Sequence, residues 1–371
     1  MKYSVLPRAD LRLSKLAVGS MTFGEQTSRS EAFDILDEAI AMGINLIDTA
    51  EMYPAYPRRE TFGDSERLIG DFVRLRGCRD KVVVATKIAS CNEIGIGASQ
   101  LKWIRGGGHS LRFDFKNLST AVHDSLKRLQ MDYIDIIQLH WPERKVPLTD
   151  SIDYESNEGE ESWTPFEEVL GSLGRLIDQG LVRFVGISNE TPWGLGKYLN
   201  LGASNELPRP VLTQNSYNLL NRTFDAGLAE ISLREQCPLL AYSPLAGGRL
   251  TGKYLNNARP NGARYSVWPG PDGRYHNQGV NEAISKYSEI ASNYNISLAD
   301  MSLAFVLSRP FVASTILGIK NKKQLQEAAS SIDINLSGEL KEEISLVHQF
   351  SPNPAITGIM RHRVKESYAI K

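Results

Sequence analysis

The sequence predicts an α/β fold: a (β/α)8 TIM barrel with an N-terminal β-hairpin and long loops at its C-terminal rim. Three observations predict it. Eight short apolar, β-branched runs alternate with amphipathic stretches. Each run is nearly continuously apolar, as expected of strands buried on both faces. The first run leads into MTFGEQTS, with one glycine, where a doubly wound dinucleotide fold would carry a glycine fingerprint. Strict alternation alone fits either architecture, and the missing fingerprint favours the barrel.

The runs are LAVGS (16–20), INLID (44–48), VVVATK (82–87), IDIIQLH (134–140), VRFVGIS (182–188), VLTQN (211–215), PLLAYS (238–243) and ASTILG (313–318). Ahead of them, residues 1–14 alternate around a proline-containing turn and read as a hairpin plugging the bottom of the barrel. Between the runs lie helical patterns. Residues 29–43 place Phe33, Leu36, Ile40 and Ala41 on one face, and Gly43 stops the helix. Asp64 is the expected N-cap of DSERLIGDFVRL. NLSTAVHDSLKRL (117–129) follows, and then 164–180, with Thr164 as N-cap, Pro165 at the first helical position and Gly180 at the end. FDAGLAEISLRE, NEAISKYSEIASNY and KQLQEAASSI complete the set. With no linker or repeat, 1–371 reads as a single domain with a tail at 349–371. Three connections are long, 88–116, 141–163 and 243–280, and all follow C-terminal strand ends, where barrels build their sites.

Bulk composition excludes several classes. Hydrophobic residues make up 42% of the chain, enough for a large core. Net charge is −1 and the basic residues are spread out, so no nucleic-acid footprint is expected. No apolar run approaches the ~20 residues that cross a bilayer. The start lacks an apolar signal core, which predicts a cytoplasmic protein, a trimmed presequence aside. Cys78, Cys91 and Cys237 are odd in number and share no ligand spacing, so reduced thiols and no metal are expected.

The ends of the runs carry the chemistry. Asp48 closes the second, Lys87 the third and His140 the fourth, and Tyr53 lies five residues past Asp48. A barrel brings all four to one rim. A phenol is a weak acid at neutral pH; an ammonium beside it favours the phenolate and lowers its pKa. The buried ammonium needs a counter-charge, which Asp48 can supply. His140 can donate a hydrogen bond to a substrate carbonyl oxygen. This set suits a carbonyl that receives a proton on oxygen and a hydride on carbon, the hydride coming from a cofactor. Each residue has a structural alternative: an ion pair for Lys87, a helix cap for Asp48, packing for Tyr53, whose neighbour Tyr56 is a rival. Phe23, Tyr56, Trp103 and Trp141 are large and lie on rim loops, so they are candidates for an apolar substrate wall.

GINLIDTAEMY, VVATK, IIQLHWP, GISN, QNSYNLLNR, AYSPLAGGRLTGKY and STILGIKNKKQLQEA resemble, in order and spacing, the signature segments of the aldo-keto reductase superfamily. The likeness spans about 15–350 and is strongest to the branch with the Tas-type oxidoreductases, more distant to potassium-channel β-subunits. It implies a catalytic tetrad of Asp48, Tyr53, Lys87 and His140, with the tyrosine as acid/base, and settles the choice against Tyr56. It also implies NADPH (NADP+) as cofactor, bound across the rim. Ser188, Asn189 and Gln214 would hold the carboxamide, and Tyr242 would stack on the nicotinamide. Ser20, Met21 and Asp48 would border that end. Ser243, Pro244, Leu245, Gly247, Arg249 and Lys253 would wrap the pyrophosphate, joined by Arg264. Gly318 and Lys320 would face the 2′-phosphate, with Gln324 and Glu327 near the adenine.

The chain departs from many relatives, which have Arg at the position of Gln324 and small hydroxyl residues at those of Ile319 and Lys320. Gly247 to Gly252-Lys253 also fits a Walker A spacing, but Tyr254 follows where Ser or Thr would bind Mg²⁺. The expected partner is a small-molecule carbonyl substrate, with no nucleic acid or membrane; the oligomeric state is not legible. The alternative is an NADPH-binding regulatory or redox-sensing subunit. Channel-type relatives depart at the position of His140, so its presence favours the enzyme.

Overall fold

The computed structural model describes residues 1–55, 57–90, 101, 104–106, 111–147, 154, 163–204, 206–267 and 273–356. The N-terminal hairpin is present: β1 (Tyr3–Val5) pairs antiparallel with β2 (Arg12–Ser14). Eight parallel strands then close into a barrel. They are β3 (Leu16–Gly19), β4 (Leu46–Asp48), β5 (Val83–Ile88), β6 (Ile134–Leu139), β7 (Val182–Ser188), β8 (Leu212–Ser216), β9 (Leu239–Tyr242) and β10 (Val312–Gly318). β10 closes the ring by pairing with both β3 and β9. Each apolar run of the sequence is one of these strands, with ends agreeing to within two residues.

Strand alternation decides what fills the barrel. Leu46, Ala85, Ile136, Leu212 and Leu240 point inward and cluster with Leu6, Leu11 and Leu13 of the hairpin. The hairpin thus seals the N-terminal end. Two residues further along the same strands stand Asp48, Lys87, Gln138, Gln214 and Tyr242. A period of two places them on the same face, one layer nearer the C-terminal rim. The ladder fixes their relative heights: Asp48 lies opposite Ala85, Lys87 opposite Gln138, and Ser188 opposite Gln214. Between Gln138 and Leu212 sits Gly186, where a Cβ would come within 2.7 Å of Leu212 and 3.0 Å of Gln138. The outward residues of the same strands, such as Val18, Ile47, Val84, Ile137 and Val185, pack under the helices.

Eleven α-helices are seen among the described residues: α1 (Arg29–Ala41), α2 (Asp64–Arg76), α3 (Phe115–Leu129), α4 (Phe166–Asp178), α5 (Pro192–Ser204), α6 (Leu228–Arg234), α7 (Arg264–Val267), α8 (Gln278–Asn293), α9 (Leu298–Leu307), α10 (Lys322–Ser330) and α11 (Gly338–Phe350). Three details correct the sequence reading. The buried stripe of α1 is Ala32, Ile35, Leu36 and Ala39; Ala41 is exposed, and Phe33 turns sideways onto Phe72 of α2 at 5.2 Å. Asp64 is the first helical residue of α2 rather than its cap, and pairs with Arg67. Thr164 does not cap α4, because its backbone N–H and hydroxyl both donate to Glu143.

The pattern search passed over α5, the one-turn α7, α9 and α11. The reason is clearest in α9, where Leu298, Met301, Leu303, Ala304, Phe305 and Val306 are all buried. A helix covered on several sides has no polar stripe to reveal its period. The chain after α11 is partly described: Ala355 and Ile356 are buried and the Ala355 N–H donates to the Leu220 carbonyl. Cys91, Tyr56, Trp103 and the end of the tail, 357–371, lie outside the described residues, as does most of the acidic stretch 153–161.

Candidate active site

At the C-terminal rim a cavity of about 820 Å³ runs from Tyr53, His140 and Trp141 past Ser188, Asn189, Gln214 and Tyr242, along the segment after β9, to Lys320, Gln324 and Glu327. The inner end is a closed hydrogen-bond network. Lys87 Nζ donates to Asp48 Oδ2 at 2.5 Å and to the Thr49 carbonyl at 2.8 Å. The other Asp48 oxygen accepts from Gln214 Nε2 at 2.8 Å and from Gln138 Nε2 at 3.3 Å. Lys87 Nζ stands 4.9 Å from the centre of the Tyr53 ring, and His140 meets that ring edge-on, with centroids 5.8 Å apart. Asp48, Lys87 and His140, read from strand ends, and Tyr53, in the loop after β4, are therefore brought together.

The charge balance is set by burial. Burial works against the Lys87 ammonium and lowers its pKa; Asp48 and then Glu66 act in the other direction. Glu66 stands behind the wall, accepting from Thr86 Oγ1 at 2.6 Å and pairing with Arg128 at 2.6 Å. Burial and then the Lys87 charge push His140 well below the ordinary histidine value, so its imidazole is neutral. His140 Nδ1 is buried and has no hydrogen-bond partner among the described residues.

Tyr53 departs from the sequence argument. That argument had Lys87 lowering the phenol's pKa. In the structure burial raises it first, Asp48 raises it further, and Arg264 opposes. Lys87 is engaged by Asp48 at hydrogen-bond distance and does not lower the Tyr53 phenol as the sequence argument had it. The phenol is thus firmly protonated at neutral pH, the form a proton donor needs.

The neighbouring amides hold one another. Asn189 Nδ2 donates to the His140 carbonyl at 2.9 Å and to Ser188 Oγ at 3.2 Å, and Asn189 Oδ1 accepts from the Tyr242 hydroxyl at 2.7 Å. Gln214 Nε2 spends both hydrogens, on Asp48 and on Gln138 at 3.0 Å. What Gln214 can offer a ligand is its carbonyl oxygen. Asn189 holds this geometry with a left-handed backbone, φ 55°.

Of the other predicted residues, Met21, Ser243, Pro244, Leu245, Gly247, Lys253, Arg264, Gly318, Lys320, Gln324 and Glu327 line the cavity. Lys320 donates from its ammonium to the Gly262 carbonyl at 3.2 Å and from its backbone to Gln324 Oε1 at 2.9 Å. Besides Lys87, which is bonded to Asp48 and does not line it, three described residues of the predicted set do not line it. The Ser20 hydroxyl and N–H both turn to the Asp48 carbonyl. Arg249 turns away to Asn281 on α8. Phe23 is fully buried in the main core rather than on a substrate wall. Trp141 does line the cavity, its ring 4.6 Å from that of His140.

Sequence reasoning missed Gln138, although a lone glutamine inside IDIIQLH was a signal. It missed Ser297 and Asp300 at the outer end because it missed α9, which carries them. It also missed Arg274, whose guanidinium lies against the Tyr242 phenol. Among the described residues no group of three or more His, Cys, Asp or Glu could hold a metal ion, and no helix is long and apolar enough to cross a membrane.

A closed parallel barrel with such a site at its C-terminal rim defines a class of oxidoreductase, and comparison with known proteins agrees. Residues 15–348 match the model of the Aldo/keto reductase family, and the chain belongs to that family. It is 42% identical to Protein tas of Escherichia coli over 364 residues, 96% of this chain and all of that protein. It is 30% identical over 356 residues to Uncharacterized oxidoreductase YrpG of Bacillus subtilis, covering 95% of this chain and 97% of that one. At 28%, over 95% of this chain and 98% of the other, it is similar to Probable voltage-gated potassium channel subunit beta of rice, Oryza sativa.

Proposed function

We propose that this oxidoreductase reduces an aldehyde or ketone to an alcohol with NADPH, Tyr53 serving as proton donor. The observation that carries the reading is the buried Tyr53 ring, 4.9 Å from Lys87 Nζ, which Asp48 holds at 2.5 Å, and edge-on to His140. A cavity of about 820 Å³ is ample for a dinucleotide and a small substrate together. Its lining fits that guest: amide oxygens at the inner end, Lys253 and Arg264 along its length, Lys320 at the outer end. When bound, NADPH supplies the hydride.

The chain's own residues do the rest. His140, neutral, donates a hydrogen bond to the substrate oxygen and sets its direction. Tyr53 transfers its proton to that oxygen as negative charge develops there. Lys87 stabilises the phenolate left behind, and Asp48 keeps Lys87 charged and in place. Gln138 and Gln214 fix Asp48. Trp141 and Met21 border the substrate end and exclude water. Lys320 favours NADPH over NADH, since the Gly262 carbonyl it now holds is a weak competitor for a 2′-phosphate.

The regulatory alternative suggested by the channel-subunit likeness is less well supported, because His140 is present and completes the tetrad. The test is a panel of aldehydes and ketones with NADPH oxidation followed optically. Turnover of at least one member, faster with NADPH than NADH, is expected. Failure of the protein to bind NADPH would overturn both readings.

A further inference from the structure

We propose that Arg105 is a positioning residue, clasping Glu51 so that Ala89, two residues past Lys87, is pinned against the segment that carries Tyr53. This inference rests on Tyr53 being the proton donor. Glu51 lies three residues past Asp48 and two before Tyr53, and its side chain is 1% exposed. Its carboxylate accepts from the Ala89 N–H at 2.7 Å, and its own N–H donates to the Lys87 carbonyl at 3.1 Å. The segments after β4 and β5 are therefore clipped in both directions.

Arg105 adds a third segment. Its Nη2 stands 3.4 Å from Glu51 Oε1 and donates to the Ala89 carbonyl at 2.7 Å. Its Nη1 donates to the Asn117 carbonyl in the first turn of α3 at 3.4 Å. One planar fork thus spans what a lysine ammonium could not. Arg105 does this from a left-handed backbone, φ 55° and ψ 39°, a conformation that persists in a non-glycine residue only where its surroundings hold it.

What the clasp holds is a wall of the site. Leu101, Ile104 and Leu111 of the loop pack with Met52, Tyr53 and Trp141 in a cluster separate from the main core. Tyr53 shares this cluster with the loop residues. A buried ion pair is a poor device for stability, since apolar replacement is often as good. Its merit here is geometric, because Glu51 stands two residues from Tyr53, Ala89 stands two from Lys87, and Arg105 holds both. Burial pushes the Glu51 carboxyl upward, and Arg105 is the largest charge opposing that shift.

The test uses the full chain with NADPH bound and 4-nitrobenzaldehyde as probe substrate. Two variants are compared, Arg105→Met and the double variant Glu51→Gln/Arg105→Met, which leaves no buried charge unpaired. Hydrogen exchange is read at 49–54 and, as an internal control, at 182–188. In both variants exchange at 49–54 should quicken about tenfold while the control segment does not change. Reductase kcat should fall about tenfold or more, with NADPH affinity kept. The double variant should regain thermal stability without regaining kcat, which a merely stabilising ion pair would not do. Unchanged exchange at 49–54 would overturn the inference, as would recovery of kcat together with Tm in the double variant. If the unmodified protein reduces no aldehyde, the reading of Tyr53 fails, and the exchange result still decides whether Arg105 holds its segment.

Discussion

At Tyr53 the cavity is walled by strand ends whose side chains hold one another; at Lys320 it is walled by loops and the first turns of helices. Asp48, Lys87, Gln138 and Gln214 stand on adjacent or nearby strands, and the four hydrogen bonds among them are buried. Moving one would break the ladder that sets their heights. Lys253, Arg264, Lys320, Gln324 and Glu327 stand on segments that the barrel does not dictate, and Glu327 is exposed to solvent. The difference separates two tasks. Proton transfer needs sub-ångström geometry, which a closed barrel supplies. Discrimination between cofactors needs charge near a phosphate, which a longer, half-exposed side chain can supply and a single substitution can change.

Predictions can break this comparison or sharpen it. The largest effect belongs at the rigid end. Tyr53→Phe should lower reductase kcat about 10²- to 10⁴-fold while leaving NADPH affinity and Tm near those of the unmodified protein. Steady-state kinetics and NADPH fluorescence titration check it, and retained turnover would remove Tyr53 from the role. The second concerns pH. Tyr53 is shifted upward and His140 downward, so the phenol stays protonated and the imidazole neutral over a wide range. The kcat of reduction should be flat from about pH 7 to about pH 9, since the imidazole titrates below that range and the phenol above it. An alkaline loss centred below pH 8, within that window, would contradict the raised phenol. The smallest effect belongs at the adaptable end. Lys320→Ala should weaken NADPH by about tenfold, roughly 1.4 kcal/mol, and leave NADH unchanged. Equal loss for both cofactors would mean that Lys320 does not read the 2′-phosphate.

Much of the rigid end was legible before any coordinates. Asp48, Lys87 and His140 each close or follow an apolar run, and parallel strands in a barrel bring such ends together whatever their separation in the chain. Gln138 was equally legible as a polar residue among isoleucines, yet its partner, Asp48, stands 90 residues away and no local pattern joins them. The outer end was less legible. Ser297 and Asp300 were hidden because α9 is buried on several sides and shows no stripe. The direction of Arg249 was hidden for the opposite reason: the family resemblance implied a phosphate contact, but packing against α8 decides which way its guanidinium turns.

By itself the sequence determined the eight strands, their order of occurrence and the hairpin, and it put Asp48, Lys87 and His140 at strand ends, because alternation and apolar content are local properties of the chain. Only the tertiary structure decided the state of those groups. Whether Lys87 acts on Tyr53 as a bare charge or as half of a neutral pair depends on how near Asp48 comes, and whether the phenol is raised or lowered depends on how much water is removed. Burial is a property of the closed barrel, contributed by residues from the whole length of the chain.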